Sequence, residues 1–206
     1  MQRRGIHQRV AAWMFANATD PPEYREPMTR LLGGLTGDVL ELGPGTGRNL
    51  RDYRPDVHWT GLEPNEFLHD HIERTAREHT REITVVAGVG EAIPLPDASV
   101  DAVVATLVLC SVTDQVTVLR EVRRVLRPGG RFVFLEHVAA ATGTSRRCRQ
   151  RWFRPVCRHV ADGCQPDRET LSAIQAAGFA SVTHDEFEVA TPFGVLDPHI
   201  VGFAVR

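Results

Sequence analysis

The chain has 206 residues, 42% of them hydrophobic and 24% charged, the proportions of a globular protein and enough length for one α/β domain with a full core. Its 24 basic and 26 acidic residues leave a net charge of −2, which gives no reason to expect wholesale nucleic-acid binding. No apolar run reaches the ~18 residues of a membrane helix, and Val10–Ala16, behind the basic N-terminus, is too short for a signal peptide, so a cytoplasmic protein is expected.

Residues 6–16 read as a short helix with Ile6, Val10, Trp13 and Met14 on one face. Asp20-Pro21-Pro22 breaks it, and a second helix runs from about Glu23 to Leu32, with Pro27 inside and Gly33-Gly34 behind. Val39–Leu42 is a buried strand that feeds Gly43-Pro44-Gly45-Thr46-Gly47, with a glycine at every second position. Such glycines admit positive φ and let a ligand approach the backbone. A dinucleotide loop would space them G-x-G-x-x-G over a helix N-terminus. Here the spacing is shorter and an acid, Glu41, comes first. An acid aimed at the ligand suits an ammonium rather than a phosphate, so the expected ligand is S-adenosylmethionine, held by Glu41, Gly43, Gly45, Gly47 and Asn49. The plain alternative is a strand–turn–helix junction without a ligand.

Val57–Leu62 is the second strand and ends in Glu63-Pro64-Asn65. An acid there binds ribose hydroxyls in nucleotide-type folds, and Glu63 follows Gly43 by about twenty residues, the separation such folds use. Asn65 caps a helix carrying Leu68, Ile72 and Ala76. After a third strand, Ile83–Ala87, the segment with Gly90 and Glu91 is where an adenine ring would lie. Val100–Leu107 is an apolar fourth strand, and Thr106 and Leu107 at its end would face the transferred group. Asp114 caps a helix to Leu126, Arg127-Pro128-Gly129-Gly130 stops it, and Phe132–Val138 is a fifth strand ending in Glu136-His137. This alternation predicts a doubly wound, mostly parallel sheet.

Ala139–Pro166 breaks the alternation with six arginines (Arg146, Arg147, Arg149, Arg151, Arg154, Arg158) beside Trp152 and Phe153. It is either a solvated basic helix face or a contact for an anionic acceptor. Asp167 starts a helix with Leu171 and Ile174 inside, closed by Gly178. Ser181–Val189 and Ile200–Val205 form a hairpin around a Pro/Gly-bearing loop, which makes the last strand antiparallel and the sheet seven-stranded. The expected organisation is one domain, 1–206, with 1–35 as a helical cap and 139–166 as a lid. The four cysteines, Cys110, Cys148, Cys157 and Cys164, include no C-x-x-C pair, so reduced thiols and no metal site are expected.

Glu41-Leu42-Gly43-Pro44-Gly45-Thr46-Gly47, Glu63-Pro64-Asn65 and Leu126-Arg127-Pro128-Gly129-Gly130 resemble the motifs of the class I methyltransferases, whose fold is Rossmann-like. Thr106–Val112, Glu136-His137-Val138-Ala139, Asp162-Gly163-Cys164 with Arg168-Glu169, and Pro198-His199-Ile200 are most similar to the alkyl thiol S-methyltransferases, which carry an N-terminal membrane anchor. The chain departs from the wider family at Val89, where many members place an acid for the adenine amino group. The resemblance implies S-adenosylmethionine as cofactor, S-adenosylhomocysteine as product and methylation of a small-molecule thiol, without nucleic acid or membrane partners, by a monomer or homodimer. The alternatives are O- or N-methylation of a small natural product or quinone-like lipid, and a catalytically idle cofactor-binding or RNA-associated protein.

The acceptor side is read from the ends of the strands. His137 ends the fifth strand, and an antiparallel last strand starts at the same edge with His199; with Asp162 these are the catalytic candidates, each either a proton acceptor or a loop-fixing hydrogen-bond partner. Cys110 and Trp152 are the acceptor-contact candidates, Cys110 as wall rather than nucleophile.

Overall fold

The computed structural model describes residues 2–160, 163–190 and 196–206. Helices α1 (Gln2–Asn17) and α2 (Pro22–Leu32) precede strand β1 (Asp38–Leu42). Next come β2 (His58–Leu62), α3 (His69–Glu78), β3 (Ile83–Val86), β4 (Val100–Thr106), α4 (Gln115–Val125) and β5 (Leu126–His137), then α5 (Ser145–Val160), α6 (Thr170–Ala176), β6 (Ser181–Ala190) and β7 (Leu196–Val205). The seven strands form one sheet in the order β3-β2-β1-β4-β5-β7-β6. β7 lies antiparallel to both β5 and β6, and the remaining pairs are parallel.

Strand alternation divides the core into two layers. Leu40, Leu42, Val103, Ala105, Phe132 and Phe134 face one side, under Leu119 and Val122 of α4 and Ile174 of α6. Val39, Val104, Val133 and Leu135 face the other, under Met28 and Leu32 of α2 and Ile72 and Ala76 of α3. The order of strands reverses between β1 and β4, the neighbours at whose carboxyl ends ligands bind in open α/β sheets.

The helix caps follow the sequence. Asn65 Oδ1 accepts the Phe67 N–H at 3.2 Å and starts a 3-10 turn, Glu66–Leu68, that runs into α3. Asp114 Oδ1 accepts the Val116 N–H at 3.0 Å and starts α4.

Four expectations change. Among the described side chains of α1, Trp13 is 68% exposed and Val10 is exposed too, while Ala11 and Ala12 are the buried pair. β5 begins at Leu126, paired with Val100, and the Pro-Gly-Gly stretch is an irregularity inside the strand before pairing resumes at Arg131. α6 starts at Thr170 with Glu169 at its cap position, not at Asp167. The Arg-rich stretch forms α5, which is bound beside the sheet by Arg146–Glu188, Arg147–Glu169 (2.6 Å) and Arg154–Asp167 (3.4 Å) ion pairs. The loop between β6 and β7 lies outside the described residues.

Candidate active site

A cavity of about 1010 Å³ opens at the carboxyl ends of β1, β2 and β4, at the top of the size range of ligand sites. Its floor is the glycine loop. Gly43 and Gly45 both have positive φ, +53° and +60°. A Cβ on Gly43 would come within 2.9 Å of Val108, whereas a Cβ on Gly45 would meet nothing within 4 Å and would project into open space. Arg48–Arg51, after the loop, is a single 3-10 turn, so no long helix aims its N-terminus at the cavity as a phosphate site would require.

Two buried carboxylates organise the floor. Glu63 Oε2 accepts the Gly45 N–H at 3.1 Å and Oε1 accepts the Asn65 N–H at 2.9 Å, so the acid at the end of β2 shapes the glycine loop directly. Glu41 is 1% exposed. Its Oε2 accepts from Tyr53 Oη at 2.8 Å and Trp59 Nε1 at 2.9 Å, and its Oε1 accepts from Asn49 Nδ2 at 2.8 Å. Burial raises its pKa and the three donors oppose the rise. The expectation of a carboxylate aimed at the ligand is therefore corrected: Glu41 lines the cavity but spends its oxygens on the scaffold. Asn49, held by Glu41, also donates to Thr106 Oγ1 at 3.0 Å, which ties the loop after β1 to the end of β4.

Gly90 and Glu91 also line the cavity. Glu91 Oε1 accepts the N–H groups of Thr113 and Asp114, at 2.7 and 3.2 Å, and so fixes the approach to α4. Pro64, Thr106 and Leu107 complete the predicted lining. Gly47 and Asn65 stand outside it: Gly47 packs on Leu50 and Ile72, and the Asn65 side chain donates to the Gln8 carbonyl of α1.

The chain turns sharply after β4. Leu107 takes φ +57°, a left-handed conformation rare for a leucine. Glu136, fully buried, compensates: its Oε1 accepts the N–H groups of both Val108 and Leu109 at 2.9 Å. Burial, with the nearby Cys110 charge, pushes the Glu136 carboxyl up to about 8. This turn puts Leu107, Val108 and Ser111 on the cavity and Cys110, 2% exposed, behind it. Cys110 is thus a second-layer residue rather than an acceptor contact. Trp152 is 75% exposed on α5, stacked edge-on against Phe153 and away from the cavity, which corrects its assignment to the acceptor. No described residue of 139–166 lines the cavity; the lining instead includes Phe15 and residues 18–22 from the junction of α1 and α2. Arg48 ties that junction down, donating to Asp20 Oδ1 at 2.7 Å, to the Phe15 carbonyl at 2.6 Å and to the Ala18 carbonyl.

The predicted histidines do meet. His137 and His199 are register partners across β5 and β7, their rings 6.0 Å apart. His199 Nδ1 lies 2.9 Å from the Asp197 carbonyl, which can only accept, so Nδ1 carries the proton and Nε2 accepts from Tyr24 Oη at 2.8 Å. Burial lowers the His199 pKa to about 4 and keeps the ring neutral. Tyr24 lines the cavity, a contact the sequence conceals because 175 positions separate the two partners. His137 Nε2 lies 2.9 Å from Cys164 Sγ. Burial works against its charge, but the Cys110 thiolate and neighbouring acids push its pKa up to about 9. Asp162 lies outside the described residues.

Residues 40–134 match the model of the family described as "Methyltransferase domain". The chain is 39% identical over 171 residues to the Homo sapiens thiol S-methyltransferase TMT1A, covering 82% of this chain and 70% of that protein. It is also 39% identical over 189 residues to the Homo sapiens thiol S-methyltransferase TMT1B, covering 88% and 78%. Among solved structures, a putative methyltransferase from Bacillus halodurans superposes with a TM-score of 0.68 at 14% identity, over 86% of this chain and 96% of that one, a likeness of fold. With the seven-stranded sheet and its antiparallel β7, these matches show that the chain belongs to the S-adenosylmethionine-dependent methyltransferases, in the family that includes the thiol S-methyltransferases.

Proposed function

We propose that the enzyme methylates the sulfur of a small-molecule thiol in the cytoplasm, as a monomer or homodimer. The observation that carries this reading is the 39% identity to an enzyme named for thiol S-methylation, spread over 82% of the chain. Among the described residues no helix is long and apolar enough to cross a membrane.

The cavity suits the cofactor, which carries an ammonium, a sulfonium and a ribose but no phosphate. Its floor holds the buried Glu63 carboxylate, and the space beside Gly45 is open where any side chain would intrude. In this reading Glu63 receives the ribose hydroxyls and Gly90 with Glu91 borders the adenine. Gly43, Gly45, Asn49 and Thr106 surround the amino-acid end, with Pro64 and Leu107 as apolar walls. Bound S-adenosylmethionine supplies a methyl group activated on a sulfonium.

The protein's part is to hold the acceptor in line and to manage one proton. A free thiol with a pKa near ~8.5 is a minor thiolate at neutral pH. Tyr24 Oη can accept the S–H proton while passing its own to His199 Nε2. Because His199 is a weak base, that transfer accompanies attack rather than preceding it, and positioning carries most of the catalysis. His137, the register partner of His199 across β5 and β7, lies outside the cavity lining and does not touch the acceptor.

Labelled cofactor offered with panels of thiols, phenols and amines tests the reading, and thiols should turn over best. With the best thiol, Tyr24→Phe should lower kcat/KM by ~10²-fold at neutral pH, with the defect shrinking above the thiol pKa, where thiolate is already present. Preference for a phenol or amine over every thiol would replace the reading with O- or N-methylation. A pH-independent defect would leave Tyr24 a packing residue.

A further inference from the structure

Behind the wall of the cavity, three groups converge from distant parts of the chain. Cys110 comes from the turn after β4, His137 from the last position of β5, and Cys164 from the segment beyond α5. Their ligand atoms, Cys110 Sγ, a His137 ring nitrogen and Cys164 Sγ, all lie within 4.8 Å of one another. No disulfide joins the two sulfurs. The three groups already touch one another: His137 Nε2 lies 2.9 Å from Cys164 Sγ, and Cys110 Sγ also meets the Leu107 carbonyl at 3.3 Å and Ser111 Oγ at 3.5 Å. His137 Nδ1 is buried and has no partner among the described residues. An apolar site would have served packing better than two thiols and an imidazole.

We propose that Cys110, His137 and Cys164 form a zinc site. Two thiolates and an imidazole nitrogen are a soft donor set that suits Zn²⁺ and not Mg²⁺ or Ca²⁺. Two thiolates and a neutral imidazole also balance the dication's charge, as a buried site requires. Zn–S distances of about 2.3 Å and Zn–N distances of about 2.0 Å put tetrahedral ligand atoms roughly 3.5–3.8 Å apart. The three ligand atoms lie within 4.8 Å of one another, so side-chain shifts of about 1 Å or less bring them to that spacing. The 2.9 Å His137–Cys164 contact would open by roughly 0.6–0.9 Å to admit the ion. Metal binding releases two protons to solvent, one from Cys164 and one shared between Cys110 and His137, with no change of oxidation state. Three protein ligands leave one coordination position for water. Because the pattern draws one ligand from each of three segments, no C-x-x-C pair announces it.

The ion would join the turn at 107–111 to the end of β5 and to the segment around Gly163. That segment is already close, since Gln165 N–H donates to the Cys110 carbonyl at 3.0 Å. Metal binding would therefore stiffen the wall whose other face is Leu107, Val108 and Ser111.

The test uses the full chain, reduced, stripped with a chelator and titrated with Co²⁺ alone. One equivalent should bind with a thiolate-to-cobalt charge-transfer absorption, and Zn²⁺ should displace it. Cys164→Ser, at a partly exposed position, should fold as wild type and lower zinc affinity by more than about 100-fold, beyond the loss typical of outer-shell changes. Cys148→Ser, in the exposed part of α5, should keep both the absorption and the affinity. Absence of the charge-transfer band in the wild-type chain, or an equal band and affinity in Cys164→Ser, would overturn the site. If Cys110→Ser unfolds, Cys164→Ser alone decides.

Discussion

Glu136 shows how one side chain sets the shape of a site it never enters. Both N–H groups it accepts belong to the turn that follows the left-handed Leu107. Glu136→Ala should leave them buried without a partner and cost about 3 kcal/mol. Glu136→Gln keeps a carbonyl acceptor and should recover most of that loss. Urea unfolding of the two variants is the check, and equal midpoints would remove this role. Glu63 acts on the glycine loop in the same manner, so its loss has two effects. Glu63→Ala should weaken cofactor binding by about 2 kcal/mol, and Gly45→Val should abolish it by filling the open space and straining a residue at φ +60°. Calorimetric titration with S-adenosylmethionine measures both, and wild-type affinities would move the cofactor elsewhere. Glu63 was legible as the acid at the end of β2 before a proline, whereas the role of Glu41 was not, because its donors Tyr53 and Trp59 meet it only in the fold. Tyr24 and the Cys110–His137–Cys164 group were not, because their partners meet only through the fold.

At the scale of elements, α4 carries the clearest electrostatic prediction. Arg124 donates to the carbonyls of Ile93 and Leu95, each at 2.8 Å, and to Asp97 and Glu121, and so ties the loop before β4 to the helix. The Arg124 hydrogen bond holds the Glu121 carboxyl below its ordinary 4.5. A lowered folded-state pKa contributes stability that is complete above the unfolded value and lost as pH falls through the folded one. Glu121→Gln should thus cost about 1 kcal/mol at pH 7, and its gap to wild type should close on acidification below about pH 4. Thermal unfolding across that range tests the sign; a gap that widens on acidification contradicts it. The elements themselves were readable where burial follows one period, as in β1, β4, α3 and α4. The reading failed where packing overrode composition: α1 buries alanines and exposes Trp13, and β5 runs back through a Pro-Gly-Gly stretch that looks like a stop.

For the molecule as a whole, sheet order was the most legible feature. Alternating strands and helices predict parallel pairing, and a terminal hairpin predicts an antiparallel β7, which places His199 opposite His137. What lies over the cavity was not legible. A basic insertion rich in arginine invites the name of lid, yet the lining comes from the junction of α1 and α2, because Arg48, just past the last glycine, holds that junction by charge and by two backbone carbonyls.

That fastening has a kinetic consequence. If spent cofactor leaves past this wall, which is latched to the glycine loop by Arg48, each cycle should wait on unlatching. Rapid-quench experiments should show a burst of methylated product near one per enzyme, followed by slower steady turnover. Arg48→Ala should abolish the burst, raise the release rate and weaken cofactor retention together. A linear time course in the wild-type enzyme would place the slow step at the chemistry instead. A burst that disappears in Arg48→Ala would make one arginine the setter of the enzyme's tempo, without its meeting the methyl group.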